Sequence, residues 1–277
     1  MASRRPFAIV TDSTADLPDE WRERYGIEVV PLKVLFGSET FRDRVDMTDA
    51  QFFERLAASS KLPTTSAPSP GEFAEVYARL AKDYESCVSI HIGSQLSATA
   101  EAARVGAQSV DGFKVEVIDS ETVTMPMAFL CRAAAESPTL EEAVANVKAR
   151  IPNCRVLALL DTLRYLEMGG RLSRAQAVIG TMLDLKPILI VKDREIKPID
   201  RVRTKARAVS RMVEFFKSEG PVEQVGVVHA QSAEEAEGIA SRLREGLGGQ
   251  EITMGQIGCV LGTHVGPKAV GIVYIKK

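Results

Sequence analysis

Hydroxyl side chains are concentrated in the stretch LPTTSAPSPGEF, residues 62–73, which also contains three prolines. Residues 69–72 read as a helix start, because serine and glutamate three residues apart form a capping box and proline suits the first helical position. Thr64, Thr65 and Ser66 have no such local role. Hydroxyls can donate hydrogen bonds to an anion. The stretch is therefore either a local turn and helix start or a stiffened loop whose hydroxyls face a ligand.

A second set of hydroxyls lies in IHIGSQLSATAEAA, residues 90–103, where a predicted strand leads directly into a predicted helix. Gly93 allows a tight turn, and Ser94 and Ser97 are both candidate N-caps. A helix start exposes free N–H groups and the positive end of its dipole, at the sheet edge where ligands of open α/β folds bind. Ser97 either caps its own helix or donates to an anion, and the sequence leaves both interpretations open.

A histidine stands in the glycine-rich stretch GCVLGTHVGPKAVGIV, residues 258–273. Four glycines and a proline predict a loop, and on such a loop we do not expect His264 to be held by packing. An imidazole near physiological pH serves well in binding or proton transfer, so we predict a functional role. The other two histidines, His91 and His229, lie in strand-like runs and are predicted to pack.

Four cations alternate at the start of a predicted helix in RVRTKAR: Arg201, Arg203, Lys205 and Arg207. Positive charge at a helix N-terminus opposes the macrodipole. The cluster is therefore either a solvated helix start or a surface for an acidic partner.

Composition and missing motifs exclude several function classes. The formal net charge is −2, whereas nucleic-acid binders usually carry a basic excess. No apolar run approaches the roughly 18 residues of a membrane span, and the N-terminal stretch shows no signal-length apolar run, so we expect a cytoplasmic protein without membrane insertion. Phosphate-loop, dinucleotide-binding and H-E-x-x-H motifs are missing from the sequence, and we expect no cofactor and no metal. The four cysteines are far apart and lie in or beside apolar runs, which indicates buried free thiols.

The order of predicted elements indicates an α/β fold with two domains, since 277 residues exceed one typical core. Strand and helix patterns alternate in residues 1–160, which favours a mostly parallel sheet with helices on both faces. Residues 161–277 predict a mixed or antiparallel sheet with helices on one side. One helix of this second domain is predicted at RAQAVIGTML, residues 174–183.

These motifs together resemble one known family, the DegV proteins, which include the fatty-acid-binding FakB subunits of bacterial fatty acid kinase. PTTSAPSPGEF resembles the family's T-S-Q-P-S-P loop, and SIHIGSQLSATAEAA resembles its I-S-S-x-L-S-G-T-x-x-A turn. Further counterparts occur in the family's order: IVTDSTADLP, VIDSETV, LRYLEMGGRLS, LDLKPIL, RVRTKAR and GTHVGPKAVGI. The similarity therefore covers nearly the whole chain.

The resemblance implies a two-domain protein with a long-chain fatty acid in a tunnel between the domains. It implies that the protein does not catalyse, but presents the carboxylate of the acid to a separate kinase subunit. The carboxylate-binding residues that it implies are Thr65, Ser66, Ser94, Ser97 and His264. The basic cluster around Arg203 matches a region implicated in docking the kinase.

The sequence departs from the family pattern at three positions, where Ala67, Gly93 and Ala98 replace the family's glutamine, serine and glycine. These changes bear on the shape of the pocket, and the preferred acyl chain is not predicted. Two other functions stay open. One is a serine hydrolase of acyl esters that uses Ser97, His264 and an aspartate, either Asp12 or Asp119. The other is a binder of a phosphorylated polar metabolite at the same helix start.

Overall fold

The computed structural model describes residues 5–171 and 185–277, so the helix predicted at 174–183 lies outside these residues. The strands of the described residues, numbered along the chain, are β1 (Phe7–Asp12), β2 (Ile27–Val30), β3 (Lys33–Phe36), β4 (Glu39–Arg42), β5 (Thr64–Ser66), β6 (Ser86–His91), β7 (Lys114–Asp119), β8 (Cys154–Leu159), β9 (Lys186–Lys192), β10 (Glu195–Val202), β11 (Val222–His229), β12 (Ile252–Gln256) and β13 (Val270–Lys276). The helices are α1 (Asp19–Tyr25), α2 (Asp49–Ala58), α3 (Pro70–Leu80), α4 (Thr99–Ala107), α5 (Met125–Ala135), α6 (Leu140–Arg150), α7 (Arg164–Met168), α8 (Lys205–Ser218), α9 (Ala233–Arg244) and α10 (Cys259–Val265).

The first sheet has four parallel strands in the order β2-β1-β6-β7. Successive side chains of a strand point to opposite faces. On β1, Ala8 and Val10 pack with Phe73 of α3, whereas Phe7 and Ile9 pack in the core that contains α5. The prediction of a mostly parallel sheet with helices on both faces is therefore confirmed.

A small antiparallel sheet, in the order β4-β3-β5, adjoins this unit. Its edge strand β5 consists of the hydroxyl residues that were predicted to form a loop, with Thr65 paired opposite Val34 of β3. Thr65 is half-buried, whereas Thr64 and Ser66 are exposed. The loop prediction was wrong here because three residues are too few to show a strand alternation in the sequence.

The second sheet has six strands in the order β10-β9-β8-β13-β11-β12. Strands β11 and β12 run parallel, and the other neighbours run antiparallel. Helices α8 and α9 cover one face, where Phe216 and Ile239 pack with Leu157 of β8. The predicted mixed sheet with helices on one side is confirmed. Strand β8, which precedes the boundary predicted at 160, pairs with β9 and β13 of this sheet, and the boundary itself stays a prediction.

Helix α5 lies between the two sheets and contacts strands of both. Nine of its eleven residues are buried, as expected for a helix that is apolar on every side. Its first residue, Met125, packs onto Gly226 of β11 and Gly255 of β12, where a Cβ atom would collide with the methionine side chain. The two glycines thus form a depression that receives Met125 and joins the units. Among the described residues, the structure has no helix with the length and apolar character needed to span a membrane.

We expect the Met125→Ala variant to lose about 2–5 kcal/mol in free energy of unfolding, because the truncation leaves a cavity between the sheets. Denaturant titration of the purified variant measures this loss. Met168→Ala is the matched control, since the Met168 side chain is 62% exposed and its truncation should change stability by less than about 0.5 kcal/mol. Equal losses in the two variants would contradict the role given to Met125.

Candidate functional site

A cavity with about 1030 Å³ of empty space, including the space at its open mouth, lies between the two units. Most of the lining residues are aliphatic, and they come from both units: Leu32, Ile92 and Val123 from the first, and Val156, Leu189, Val228 and Val260 from the second. The polar side chains in the wall are Thr65, Ser66, Ser97, Thr124, Arg171 and His264.

A hydrogen bond between Thr65 and His264 joins the two units at the cavity wall. Thr65 Oγ1 lies 2.9 Å from His264 Nε2. Thr65 is the middle residue of β5, so its side chain points away from the exposed side of that strand. The sequence predicted a role for both residues, and the structure brings them into contact.

His264 is held by packing, contrary to the expectation for a loop. It lies on α10, within the stretch predicted to be a loop. A Cβ atom at Gly262 would collide with the rings of Phe52 and Phe53, and one at Gly169 would collide with the His264 imidazole. These glycines therefore allow close packing of the helix. The prediction of a loop was wrong because glycine, which allows this close packing, is also common in turns.

Burial, together with the nearby positive charge of Arg171, lowers the pKa of His264 to about 4. The imidazole is therefore neutral at pH 7. Its Nδ1 atom is buried and has no hydrogen-bond partner within the described part of the chain. That nitrogen faces Gly169, so the ring meets the cavity wall through Nε2 and its bond to Thr65.

Carboxylates of the first unit hold the start of α10. The N–H of Gly258 donates to Asp16 Oδ1 at 2.9 Å, and the N–H of Cys259 donates to Asp43 Oδ1 at 3.0 Å. Arg44 lies 3.4 Å from the buried carboxylate of Asp16, although burial still raises the pKa of Asp16 to about 7. We call Asp16, Asp43 and Arg44 the α10 clasp, because they fix the helix that carries His264.

A group of metal-ligand types occurs beside this clasp. Asp43, Asp49 and Cys259 offer ligand atoms within 4.8 Å of one another. Arg44 already pairs with Asp49 at 3.1 Å and supplies positive charge to the group. We therefore interpret Asp49 and Cys259 as residues that the clasp binds, through Arg44 and Asp43. The prediction that the protein needs no metal stays a prediction.

Ser97 lines the cavity at the turn between β6 and α4. Its hydroxyl lies 2.8 Å from Thr99 Oγ1, and the N-cap position of α4 is Ala98, which makes no side-chain capping bond. The capping interpretation of Ser97 and Ser94 was therefore wrong. The first N–H groups of α4 have no side-chain cap, and the Ser97 hydroxyl remains beside the cavity.

The other two predicted hydroxyls have different positions. Ser66 lines the cavity mouth but is exposed, and its hydroxyl donates to the Ala67 carbonyl at 3.0 Å. Ser94 is not among the lining residues, because its hydroxyl accepts a hydrogen bond from Arg194 at 2.6 Å. That arginine also pairs with Asp119 and holds Ser94 at the surface. The structure thus separates Ser94 from the other predicted site residues.

Sequence reasoning missed Arg171, which adds a positive charge to the wall. Its Nε donates to the Leu96 carbonyl at 3.3 Å, next to Ser97, and it lies near enough to His264 to lower its pKa. These contacts place the Arg171 guanidinium beside Leu96 and near His264. Arg171 could have been found in the sequence, as the arginine of GGR in LRYLEMGGRLS. A carboxylate site is expected to contain a cation.

The geometry does not support the serine hydrolase alternative. A triad needs the serine bonded to the histidine and the histidine bonded to a carboxylate. Ser97 and His264 each bond a threonine instead. Asp12 lies 3.0 Å from His91, and Asp119 pairs with the arginine that holds Ser94. Asp12 and His91 are completely buried, so His91 packs as predicted.

The basic cluster lies where β10 leads into α8: Arg201, Arg203, Lys205 and Arg207. The hydroxyl of Thr204 caps α8. Lys205 pairs with Glu235 and donates to the Lys268 carbonyl, so its charge is engaged within the protein. Arg203 is exposed.

We expect His264 to make stability fall on acidification. An unfolded imidazole titrates near 6.5, while His264 titrates near 4 in the folded state. Between these values the unfolded chain binds more protons, so the free energy of unfolding falls as pH drops from about 6.5 to 4, by roughly 2–3 kcal/mol. Urea titrations of wild type and His264→Gln at pH 7, 5.5 and 4.5 measure how steeply the free energy of unfolding of each protein changes with pH. Parallel pH profiles would show that the folded imidazole titrates normally.

The model of the DegV family, which is described as a family of uncharacterised proteins, matches residues 6–277. A DegV domain-containing protein of Caldanaerobacter subterraneus is 37% identical over 277 residues, which cover 98% of this chain and 99% of that protein. The crystal structure of DegV from Bacillus subtilis, described as a fatty acid binding protein, has a TM-score of 0.90 and 35% identity, covering 99% of this chain and 100% of that one. A DegV family structure from Thermus thermophilus, described by its fatty acid binding, has a TM-score of 0.90 and 29% identity, covering 98% and 100%. This chain belongs to the DegV family.

Proposed function

We propose that this protein binds a long-chain fatty acid in the cavity between its two units and presents the carboxylate to a separate fatty acid kinase. The observation that carries the proposal is the pairing of an aliphatic cavity with a polar cluster in its wall, made of Thr65, Ser97, Arg171 and His264. The DegV relatives described as fatty acid binding proteins support the same ligand class. A phosphorylated polar metabolite would leave most of this aliphatic wall without a matching group.

The apolar wall supplies the affinity in this proposal. A sixteen-carbon acid such as palmitate buries about fourteen methylenes, which contribute roughly 11 kcal/mol before the costs of association are subtracted. A hydrogen bond to a charged group adds about 1.5–3 kcal/mol. The tail therefore accounts for most of the binding free energy, and the polar cluster fixes the orientation of the headgroup.

The polar cluster matches the needs of a carboxylate. Arg171 brings a positive charge, which a carboxylate requires when it leaves water. The Ser97 hydroxyl can donate to the carboxylate. When the proton of the neutral His264 ring is on Nε2, Nε2–H donates to Thr65 Oγ1, and the Thr65 hydroxyl can then donate to the carboxylate. The uncapped start of α4, next to Ser97, adds the positive end of a helix dipole.

The protein would act as a carrier and not as a catalyst. A free fatty acid partitions into membranes, whereas a kinase needs its carboxylate in a fixed position. Phosphoryl transfer depends on metal and nucleotide-binding groups, which a separate subunit would bring. Four free, buried cysteines suit a reducing cytoplasm, where we place the reaction.

Docking of the kinase is proposed at the basic cluster. Arg203 is exposed, and Lys205 ties the start of α8 to Lys268, in the loop that follows α10. An acidic surface that meets Arg203 would therefore sit on a segment connected to the helix of His264.

Denaturing extraction of the purified protein followed by mass spectrometry should release an acyl chain of about fourteen to eighteen carbons. We expect Thr65→Val and Ser97→Ala to weaken fatty acid binding about ten- to hundredfold each, since each removes one bond to a charged group. Calorimetry on delipidated protein measures the affinity.

The chain offers a matched control for each of these variants. Thr64→Val changes the exposed neighbour on the same strand, and Ser94→Ala changes the hydroxyl that Arg194 holds. Both should bind within about threefold of wild type. A sugar phosphate in the extract, or equal affinities in all four variants, would reject the proposed site.

We expect Arg203→Glu to keep its fatty acid but to reduce acyl phosphate formation with the cognate kinase, because an acidic docking surface would now be repelled. The reaction is followed at low and high salt. Arg24→Glu, an exposed charge reversal on α1, serves as control and should keep full turnover. If Arg203→Glu turns over as fast as the control, the kinase docks elsewhere.

A further inference from the structure

A second cavity, with about 1150 Å³ of empty space including the space at its open mouth, also lies between the two units. One wall comes mainly from residues within 12–19 and 43–49 of the first unit, and the opposite wall comes from residues 254–256 at the end of β12. This cavity shares no lining residue with the one that contains Thr65 and His264. The joint between the units therefore has two distinct openings.

The wall of the second cavity has an excess of negative charge. Its guanidinium groups are those of Arg22 and Arg44, and apolar side chains such as Leu17, Val29 and Met254 form much of the remaining surface. Its carboxylates are those of Asp12, Asp16, Asp19, Asp43 and Asp49. Five carboxylates against two guanidiniums favour a positively charged ligand, and the apolar surface favours one with a hydrocarbon body.

Arg44 shows that this wall binds a guanidinium. Its Nη2 lies 3.4 Å from Asp16 Oδ1 and 3.1 Å from Asp49 Oδ2, and it donates to the Gln256 carbonyl at 2.5 Å. The side chain thus bridges the two units inside the cavity wall. Because these contacts engage Arg44, its charge is not directed at the remaining carboxylates.

One carboxylate oxygen in the wall is left over. Asp43 is only 2% exposed, and its Oδ1 accepts from the Cys259 N–H at 3.0 Å. Its Oδ2 is buried and makes no hydrogen bond within the residues that the structure describes. Burial raises the pKa of Asp43, against the lowering effects of Arg44 and of the Ser13 hydroxyl. A buried carboxylate oxygen without a partner costs free energy, which a cationic donor in the cavity would offset.

The opposite wall has a polar group in the same condition. Gln256 lines the cavity, and its Nε2 is buried without a partner in the described part of the chain. A half-turn of the amide brings its carbonyl oxygen to the same place, so this side chain can accept as well as donate. Unsatisfied polar atoms on both walls indicate a ligand that contacts both units.

An organic cation fits this space better than a metal ion does. Asp43, Asp49 and Cys259 have ligand atoms close together, but Arg44 pairs with Asp49 at that point and would repel a divalent ion. An ammonium or guanidinium group carries one charge and several N–H donors. Its carbon chain would also cover Leu17 and Val29, which a hydrated ion would leave in contact with water.

We propose that the second cavity binds a small organic cation, whose ammonium or guanidinium group, attached to a short aliphatic chain, donates to Asp43 Oδ2. This inference does not depend on the ligand of the first cavity. Because the cation would contact residues of both units, its binding should also stabilise the joint between them.

Calorimetry on the purified protein tests the proposal with putrescine and agmatine, in about 0.15 M salt so that distant surface charges are screened. Butane-1,4-diol and succinate are the neutral and anionic four-carbon controls. We expect each amine to bind at one site per chain and to raise the melting temperature. The diol and succinate should bind at least about tenfold more weakly than putrescine.

Asp43→Asn removes the unpartnered oxygen but keeps Oδ1 for the Cys259 N–H. It should weaken both amines about ten- to hundredfold, the loss of one hydrogen bond between charged groups. Asp46→Asn is the matched control, since it removes the same charge from the same loop at a residue that pairs with Arg42 and does not line the cavity. Its affinities should stay within about twofold of wild type.

A second pair of variants changes only exposed valines. Val45 lines the cavity and is 57% exposed, whereas Val105 of α4 is 41% exposed and lies outside the lining. Val45→Lys places a like charge at the cavity and should weaken putrescine about fivefold. Val105→Lys should bind putrescine like wild type.

Thermal unfolding of each variant checks that it is folded, and the valine pair decides if Asp43→Asn does not fold. The proposal is overturned if neither amine binds, if the diol binds as tightly as putrescine, or if each variant matches its control. Titration with magnesium chloride and zinc chloride gives a further outcome. Binding of either metal by a protein that binds neither amine would replace the organic cation with a metal ion.

Discussion

The six-stranded sheet has two apolar faces, and the need to cover both of them governs the structure. Helices α8 and α9 cover the outer face, and α5 covers part of the inner face from the first unit. Burial of apolar surface is the dominant favourable term in folding, so a region of wall left open is costly unless something occupies it. The cavity is such a region, and its aliphatic lining follows from its origin as an incompletely covered sheet face.

The polar cluster depends on the same joint between the units. Thr65 comes from the small sheet of the first unit, and His264 comes from α10 of the second. The α10 clasp holds that helix by its first N–H groups, with buried carboxylates partly neutralised by Arg44. Burying a charge costs free energy unless the charge is paired. These pairs therefore favour the one relative position of the two units in which they form. The neutral state of His264 then follows from its burial at the joint.

Much of the fold was readable from local patterns. The alternation of strand and helix patterns in residues 1–160 indicated a mostly parallel sheet, and its strand β1 is buried along its whole length. Thr65, Ser97 and His264 were selected because their types and neighbours suited an anion, and the structure gathers them at one cavity. The prediction failed for Ser94, whose hydroxyl is taken by Arg194, a residue one hundred positions later in the chain. It also failed for α10, where Gly262 allows close packing against Phe52 and Phe53, and where the His264 ring packs onto Gly169 after α7.

The sequence by itself determined the chemical inventory of this protein: the hydroxyls, the histidine, the basic cluster and the periodicities that specify its strands and helices. Those features are local, since a propensity or a cap depends on residues within one turn or one strand pair of each other. The tertiary structure alone decided which of these groups share a cavity, which are engaged elsewhere, and where the sheet stays uncovered. These outcomes depend on pairing and packing between distant segments, such as the register that sets Ala158 beside Gly271, and no short-range pattern encodes them.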